Sequence, residues 1–298
     1  MPARQPFTAL CQAAARKPAA GRADLHLHTV HSDGSYTPAQ VVDLAKRSGL
    51  AAIAITDHDT LSGIAAAQAA AAASSLEIIP GVEISTEFHG RELHLLGYFF
   101  RLDDGPLRAA LERLALHRTG RFWEMVERLK QCGVSLDKED LRAHADSESL
   151  GRRHLAEMMV KAGRARSVGE AFGRYLRDNG RAAVPKSRLP VEEALALVRA
   201  AGGVAAWAHP SYDCNGENLR ELCRLGLGAL ETAYPVHSAG RMQELRTLAA
   251  AFGLAVTGGS DCHGPDQPRR AVGACSVSNE ELKILRNRSG HSSLVIRK

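Results

Sequence analysis

A chain of 298 residues, 45% hydrophobic and 24% charged, has the apolar content to bury a core of its own, which excludes disorder over its whole length. The formal charge of +5 is unevenly spread: residues 101–190 carry 19 Lys and Arg against 13 Asp and Glu, and the remainder carries 19 against 20. Attraction for a polyanion therefore belongs to the middle of the chain, although a solvated basic helical face produces the same bias.

Residues 1–22 contain no acid and no long apolar run of the kind a secretory signal needs, and they read as a disordered leader. From residue 23 to residue 103 short apolar runs alternate with helical stretches: ADLHLH, PAQVVDLAKRSG, LAAIAIT, an alanine-rich helix, then LEIIPGVEIS. That rhythm predicts βαβ units and a parallel sheet. Thr37 and Pro38 form a helix start and Gly49 its stop. EISTEFHGRELHLLGYFF reads as a hairpin with HG at its tip. The run IAAAQAAAAA at 64–73 is too short and too weakly apolar to cross a bilayer.

Between 104 and 184 the strand signal stops. Apolar residues at 107, 111, 114, 122, 125, 126 and 129 have helical spacing, and shorter amphipathic helices are expected at about 137–144, 151–162 and 167–178. The α/β rhythm resumes at 185 and runs to 278, with strands at GVAAWAHP, LGALET and LAVTGGSD. The simplest organisation is one barrel-like domain, 23–103 and 185–278, interrupted by a helical insert at 104–184 and followed by a polar tail at 279–298. Six cysteines, none at C-x-x-C spacing, fit reduced thiols in a cytoplasmic protein.

Chemistry collects at the strand ends. In an extended ADLHLH, Asp24, His26 and His28 share one face while Leu25 and Leu27 share the other. Another strand ends with Asp57, His58 and Asp59, and others carry Glu83, His94, His209, and Asp261 with His263. Function gathers at the carboxyl ends of strands in parallel α/β folds, and imidazole with carboxylate but no thiolate suits Mn, Zn or Fe(II). Glu83 has the chemistry to bridge two cations. Asp57 and Asp59 serve equally as direct ligands, as partners of ligands or as helix caps.

DLHLHT-x-HSDGS, TDHD, PGVEIS, AHP and GSDCHG resemble, in order and spacing, the motifs of the PHP (polymerase and histidinol phosphatase) family of metal-dependent phosphoesterases. The resemblance spans about residues 23–278 and implies a distorted (β/α)7 barrel with two or three divalent metals at its mouth, Mn foremost and Zn or Fe as alternatives. It implies His26, His28, Glu83 and Asp261 on one metal, Glu83 and His94 on a second, and Asp33, His58, His209 and His263 on a third. His31 has no ligand role in that scheme.

The helical insert, LGRRHLAE at 150–157 and ETAYPVHS at 231–238 resemble the branch containing 3′,5′-bisphosphate nucleotidases and a 5′-3′ exoribonuclease. The resemblance then implies a hydroxide between the metals sharing Glu83 as nucleophile, Arg152 and His154 gripping phosphate or sugar, and His237 contacting the scissile phosphate or protonating the leaving oxygen. The substrate would be a nucleotide or a short single-stranded RNA, with no membrane and no obligate protein partner. Phe122, Trp123 and Tyr175 are available to stack on bases, though such spacing more often marks a core. A histidinol-phosphate-type phosphatase and a non-catalytic PHP binding module are the alternatives.

Overall fold

The computed structural model describes residues 21–143 and 150–290. Seven strands form the staves of a barrel: β1 (Arg22–Leu27), β2 (Ala52–Ile55), β3 (Glu77–Phe88), β4 (Arg91–Tyr98), β6 (Val204–Trp207), β7 (Ala229–Ala233) and β8 (Ala255–Gly258). Two short strands, β5 (Leu189–Pro190) and β9 (Val277–Ser278), pair on β3 and β1. All staves run parallel except β4, which is antiparallel to both neighbours, β3 and β6. This is the distorted β/α barrel that the family resemblance implied.

The hairpin between β3 and β4 turns at His89 and Gly90, both with positive φ (51° and 73°), as a two-residue hairpin loop requires. The barrel closes where the segment after β8 reaches β1: Asp261 N donates to His26 O (2.8 Å) and His28 N donates to Cys262 O (3.1 Å). Gly259 makes that approach possible, because a Cβ there would sit 2.4 Å from His26 N.

Alternate residues divide between the inside and the outside of the barrel. Ala52, Ala54, Ile79, Leu96, Tyr98 and Ala206 pack together inside, while Ile53, Ile55 and Leu27 face the flanking helices α1 (Pro38–Arg47) and α2 (Ser62–Ala71). Helix α1 starts on a capping box in which Gln40 N donates to Thr37 Oγ1 (3.3 Å) and Thr37 N donates to Gln40 Oε1 (2.8 Å). Helices α7 (Val191–Ala200), α8 (Gly216–Leu225) and α9 (Ala239–Ala251) follow in the second half.

The 104–184 stretch contains α3 (Gly105–Gln131), α4 (Lys138–Ala143), α5 (Arg152–Lys161) and α6 (Val168–Ala171), the last continuing as a π-helical turn to Leu176. The first half of α3 packs Leu107, Leu111 and Leu114 against the barrel, and its second half packs Phe122, Met125 and Leu129 into a separate cluster with Leu155, Met159 and Tyr175. Phe122 and Tyr175 are therefore core residues, with Trp123 half-buried against them, and do not stack on bases. Packing has claimed these aromatics, as their helical spacing allows.

Residues 1–20 of the expected leader lie outside the described residues, and β1 already begins at Arg22. The polar tail begins instead with a helix, α10 (Asn279–Arg286), started by a capping box between Ser278 and Glu281. Its Leu282 and Leu285 are buried with Ala23 and Val277, so two apolar residues one turn apart outweigh the polar composition around them. Residues 291–298 of the tail lie outside the described residues. Among the described residues no helix is long and apolar enough to cross a membrane.

Candidate metal centre

Strand β1 does not alternate as a regular strand would. Its register against β2 shifts between Asp24 and Leu27, and Leu25 packs inside the barrel while Leu27 packs outside it. The bulge brings His26 and His28 to the mouth and separates the Asp24 carboxylate from their rings, while Asp24 Oδ1 still accepts from His26 N (3.3 Å). Asp24 also accepts hydrogen bonds from Ser260 N (2.9 Å), Ser260 Oγ (2.6 Å) and Gly273 N (2.8 Å). The single ligand face expected for Asp24, His26 and His28 is corrected accordingly.

Glu83, buried on β3, is the hub. Its Oε1 lies 2.8 Å from His94 Nδ1 and 2.9 Å from His209 Nε2. Its Oε2 lies 3.3 Å from His26 Nε2, 3.2 Å from His28 Nε2 and 3.2 Å from His58 Nδ1. Asp261 Oδ1 is 3.1 Å from His28 Nε2 and 3.5 Å from His26 Nε2. On the far side Asp33 Oδ1 faces His263 Nε2 at 3.2 Å, with His28 and His58 each 3.9 Å away. All nine residues expected as ligands thus meet at one mouth.

Three sets of donors converge within 4.8 Å: His28, Asp33, His58 and His263; His26, His28 and Glu83; His58, Glu83 and His94. His209 sits on the Glu83 side, edge-on to His94 with ring centroids 5.3 Å apart, and is not part of the set converging at Asp33. The buried atoms His26 Nε2, His28 Nε2 and Asp33 Oδ1 have no hydrogen-bond partner among the described residues. Buried polar atoms are seldom left so, and nitrogen and oxygen donors facing one another in this way fit divalent cations.

A ring of further groups holds these side chains in place; of them, only Asp57 has a role expected from the motifs. Glu231 on β7 lies 3.0 Å from His26 Nδ1 through Oε1, and its Oε2 accepts from His209 N. Tyr234 OH donates to Asp261 Oδ2 (2.8 Å), and Arg270 pairs with the same oxygen, leaving Oδ1 towards the imidazoles. Asp57 accepts from Thr29 N (2.7 Å), Thr29 Oγ1 (2.7 Å) and Ser32 Oγ (2.6 Å), shaping the loop that carries Asp33. The signal for Glu231 was present in ALETA, a carboxylate inside an otherwise apolar strand. Asp59, His209 and Asp261 have left-handed backbones (φ 56°, 30° and 51°), strain that the surrounding contacts hold at these strand ends.

Asp59 also accepts from Ser85 N (2.7 Å), Ser85 Oγ (2.8 Å) and Arg118 Nη2 (2.7 Å), tying α3 to the mouth. Lys186 pairs with Glu92 and lies 3.3 Å from His94 Nε2. Arg152 donates to Asp178 (2.6 Å) and Leu176 O (3.3 Å), both within the 104–184 stretch, and His154 Nδ1 accepts from Gly151 N (3.1 Å). His237 stands edge-on to Tyr234 with centroids 5.1 Å apart. Burial, then the Arg241 and His209 charges, outweigh Glu231 and hold His237 below the ordinary histidine pKa, which favours the neutral ring.

Fold and site together define a β/α barrel with a buried cluster of imidazoles and carboxylates at its mouth that could bind metal ions. The PHP domain family model matches residues 24–173. The chain is 34% identical over 247 residues to a 5′-3′ exoribonuclease of Haemophilus influenzae (81% of this chain, 90% of that one). It is 32% identical over 263 residues to a 3′,5′-nucleoside bisphosphate phosphatase of Chromobacterium violaceum (84% and 90%). A Bifidobacterium adolescentis structure, described in the metal-dependent phosphoesterase class, superposes with a TM-score of 0.84 at 29% identity, covering 92% of this chain and 98% of that one. The chain belongs to the PHP domain family and is a phosphoric ester hydrolase of the metal-dependent kind.

Proposed function

We propose that this protein hydrolyses nucleotide phosphate esters, releasing phosphate from a 3′,5′-bisphosphate nucleotide or mononucleotides from the 5′ end of a short single-stranded RNA. The observation that carries the reading is the convergence of five imidazoles on Glu83, with Asp33 and Asp261 beside them, at a mouth walled on one side by Arg118 and Lys186. The relatives named for exoribonuclease and bisphosphate phosphatase activity support the substrate class.

In this reading His26, His28, Glu83 and Asp261 would hold one cation, Glu83 and His94 with His209 a second, and Asp33, His58 and His263 a third. Divalent cations there would offset phosphate charge and lower the pKa of water towards neutrality. Manganese is our choice, since the donors are imidazoles and carboxylates without thiolate.

The chain's own groups do the positioning. Glu231 fixes the His26 ring, Tyr234 and Arg270 fix Asp261, and Asp57 fixes the Asp33 loop. A neutral His237 suits a hydrogen bond to a phosphate oxygen better than proton donation to the leaving group. Arg152 and His154 would grip the remainder of the substrate from the 104–184 insert, which we treat as a unit inserted in the barrel of 23–103 and 185–278. The free thiols among the described residues support cytoplasmic residence in the same reading.

The test is turnover by the Mn-loaded protein of adenosine 3′,5′-bisphosphate, a 5′-phosphorylated RNA trimer and histidinol phosphate side by side, with Asp261→Asn as control. Nucleotide turnover that disappears in the variant is expected. Preference for histidinol phosphate would overturn the substrate class, and activity surviving the substitution would overturn the assigned centre.

A further inference from the structure

We infer that Tyr212, on the loop that follows β6, is a stacking platform for the nucleobase of the substrate and sets a preference for phosphate esters that carry a base over esters that do not; the inference rests on the nucleotide-phosphoesterase reading above. Phe122, Trp123 and Tyr175 are spent on packing within the 104–184 stretch. Among the described residues Tyr212 is the one Phe, Tyr or Trp side chain left exposed, at 91%.

Its place is the rim of the candidate metal centre. Tyr212 stands three residues after His209, and β7, the parallel neighbour of β6, runs into the loop that carries Val236 and His237. His209, Tyr234 and His237 follow one another across that rim, with successive ring centroids 5.5 Å and 5.1 Å apart. Val236 is itself 65% exposed, so large apolar side chains stand open to water on two neighbouring loops beside the ligands. The 104–184 stretch reaches the mouth elsewhere, through Arg118 at Asp59 after β2 and through Arg153 at Asp266 after β8 (3.7 Å), and covers neither Tyr212 nor Val236.

The Tyr212 ring is held in position from below. Arg241, buried near the start of α9, places its guanidinium over the ring, 5.4 Å from the centroid, and donates to Ser211 O in the same loop. Glu244 pairs with that guanidinium (2.9 Å), and Asn218 Nδ2 donates to Asp213 O (2.8 Å), so the loop is tied on both sides of the tyrosine. One face of the ring lies against a fixed cation and the other is open to a flat partner. Apolar ring surface left in water gains by being covered, and a nucleobase covers it with a π-face of its own. Because every base has such a face, the platform discriminates base-bearing from base-free esters and tolerates any base.

Product binding tests this. Full-length Mn-loaded protein is titrated calorimetrically with 5′-AMP, which both proposed reactions release from an adenylate, and with ribose 5-phosphate, which has the same sugar and phosphate and no base. 5′-AMP is expected to bind about 5-fold or more tighter. Tyr212→Ala should abolish that advantage and Tyr212→Phe keep it, with Mn affinity the same in all three proteins; the exposed side chain can be removed without opening the core. For adenosine 3′,5′-bisphosphate, Tyr212→Ala should raise KM and leave kcat in place, as loss of uniform binding does.

Equal binding of the two ligands, an advantage that survives Tyr212→Ala or vanishes in Tyr212→Phe, or a loss that tracks weakened Mn binding overturns the platform, whether or not nucleotides are hydrolysed. A Tyr212-dependent advantage of 5′-AMP without turnover of the bisphosphate or of the 5′-phosphorylated RNA trimer would uphold the platform and overturn the nucleotide-hydrolysis reading instead.

Discussion

Glu231 Oε1 lies 3.0 Å from Nδ1 of His26, both side chains fully buried, so the ring is oriented by a carboxylate on a strand 205 residues away. A carboxylate behind a metal-binding imidazole fixes its tautomer and raises its basicity, and losing such a partner commonly lowers metal affinity about 10- to 100-fold. Glu231→Gln is expected to lower Mn affinity within that range while keeping the fold, read by metal titration and circular dichroism. Affinity equal to that of the unmodified protein would remove Glu231 from its positioning role.

Asp57 accepts three hydrogen bonds from Thr29 and Ser32 in a buried setting. Asp57→Ala leaves those donors without partners, at a cost of about 1–3 kcal/mol for each unsatisfied group. A fall in Tm together with weaker binding at the Asp33 side is expected; thermal unfolding with and without Mn separates the two effects. An unchanged Tm would mean that the 29–33 loop holds its shape without Asp57.

Metal loading should release protons. Burial opposes charge on His28, but the carboxylates of Asp261 and Glu83 outweigh it and push its pKa up to about 10. The metal-free ring is therefore protonated at neutral pH, and a cation must displace that proton, so metal affinity is expected to fall as pH falls. In the metal-free fold this raised pKa contributes stability that is fully present below the unfolded value near 6.5 and lost as pH rises through about 10. Calorimetry in buffers of different ionisation enthalpy measures the release; binding heats independent of buffer would contradict it.

Leu285 is fully buried beneath the barrel although the stretch around it is polar. Leu285→Ala is expected to cost about 2–5 kcal/mol, as do other truncations of buried leucines. Urea unfolding gives the number, and a cost under 0.5 kcal/mol, the range of ordinary surface substitutions, would show that α10 is not part of the core.

The sequence by itself determined the α/β rhythm, the helical stretch after residue 104 and every one of the nine residues that meet at the mouth. The rhythm was legible because a strand carries its period locally, and eight of the nine because imidazoles and carboxylates recur along the predicted strands and at their ends; Asp33, in a loop, came only from the family resemblance. Only the tertiary structure decided which of them face one another. The bulge in β1 splits Asp24 from His26 and His28, and His209 falls beside Glu83 and not at Asp33. Glu231, Tyr234, Arg270, Arg118 and Lys186 gained their roles there too, since an isolated charge or hydroxyl has no period to reveal its partner. Closing the barrel brings residues hundreds of positions apart within 3 Å of one another, and no local pattern encodes which pairs will meet.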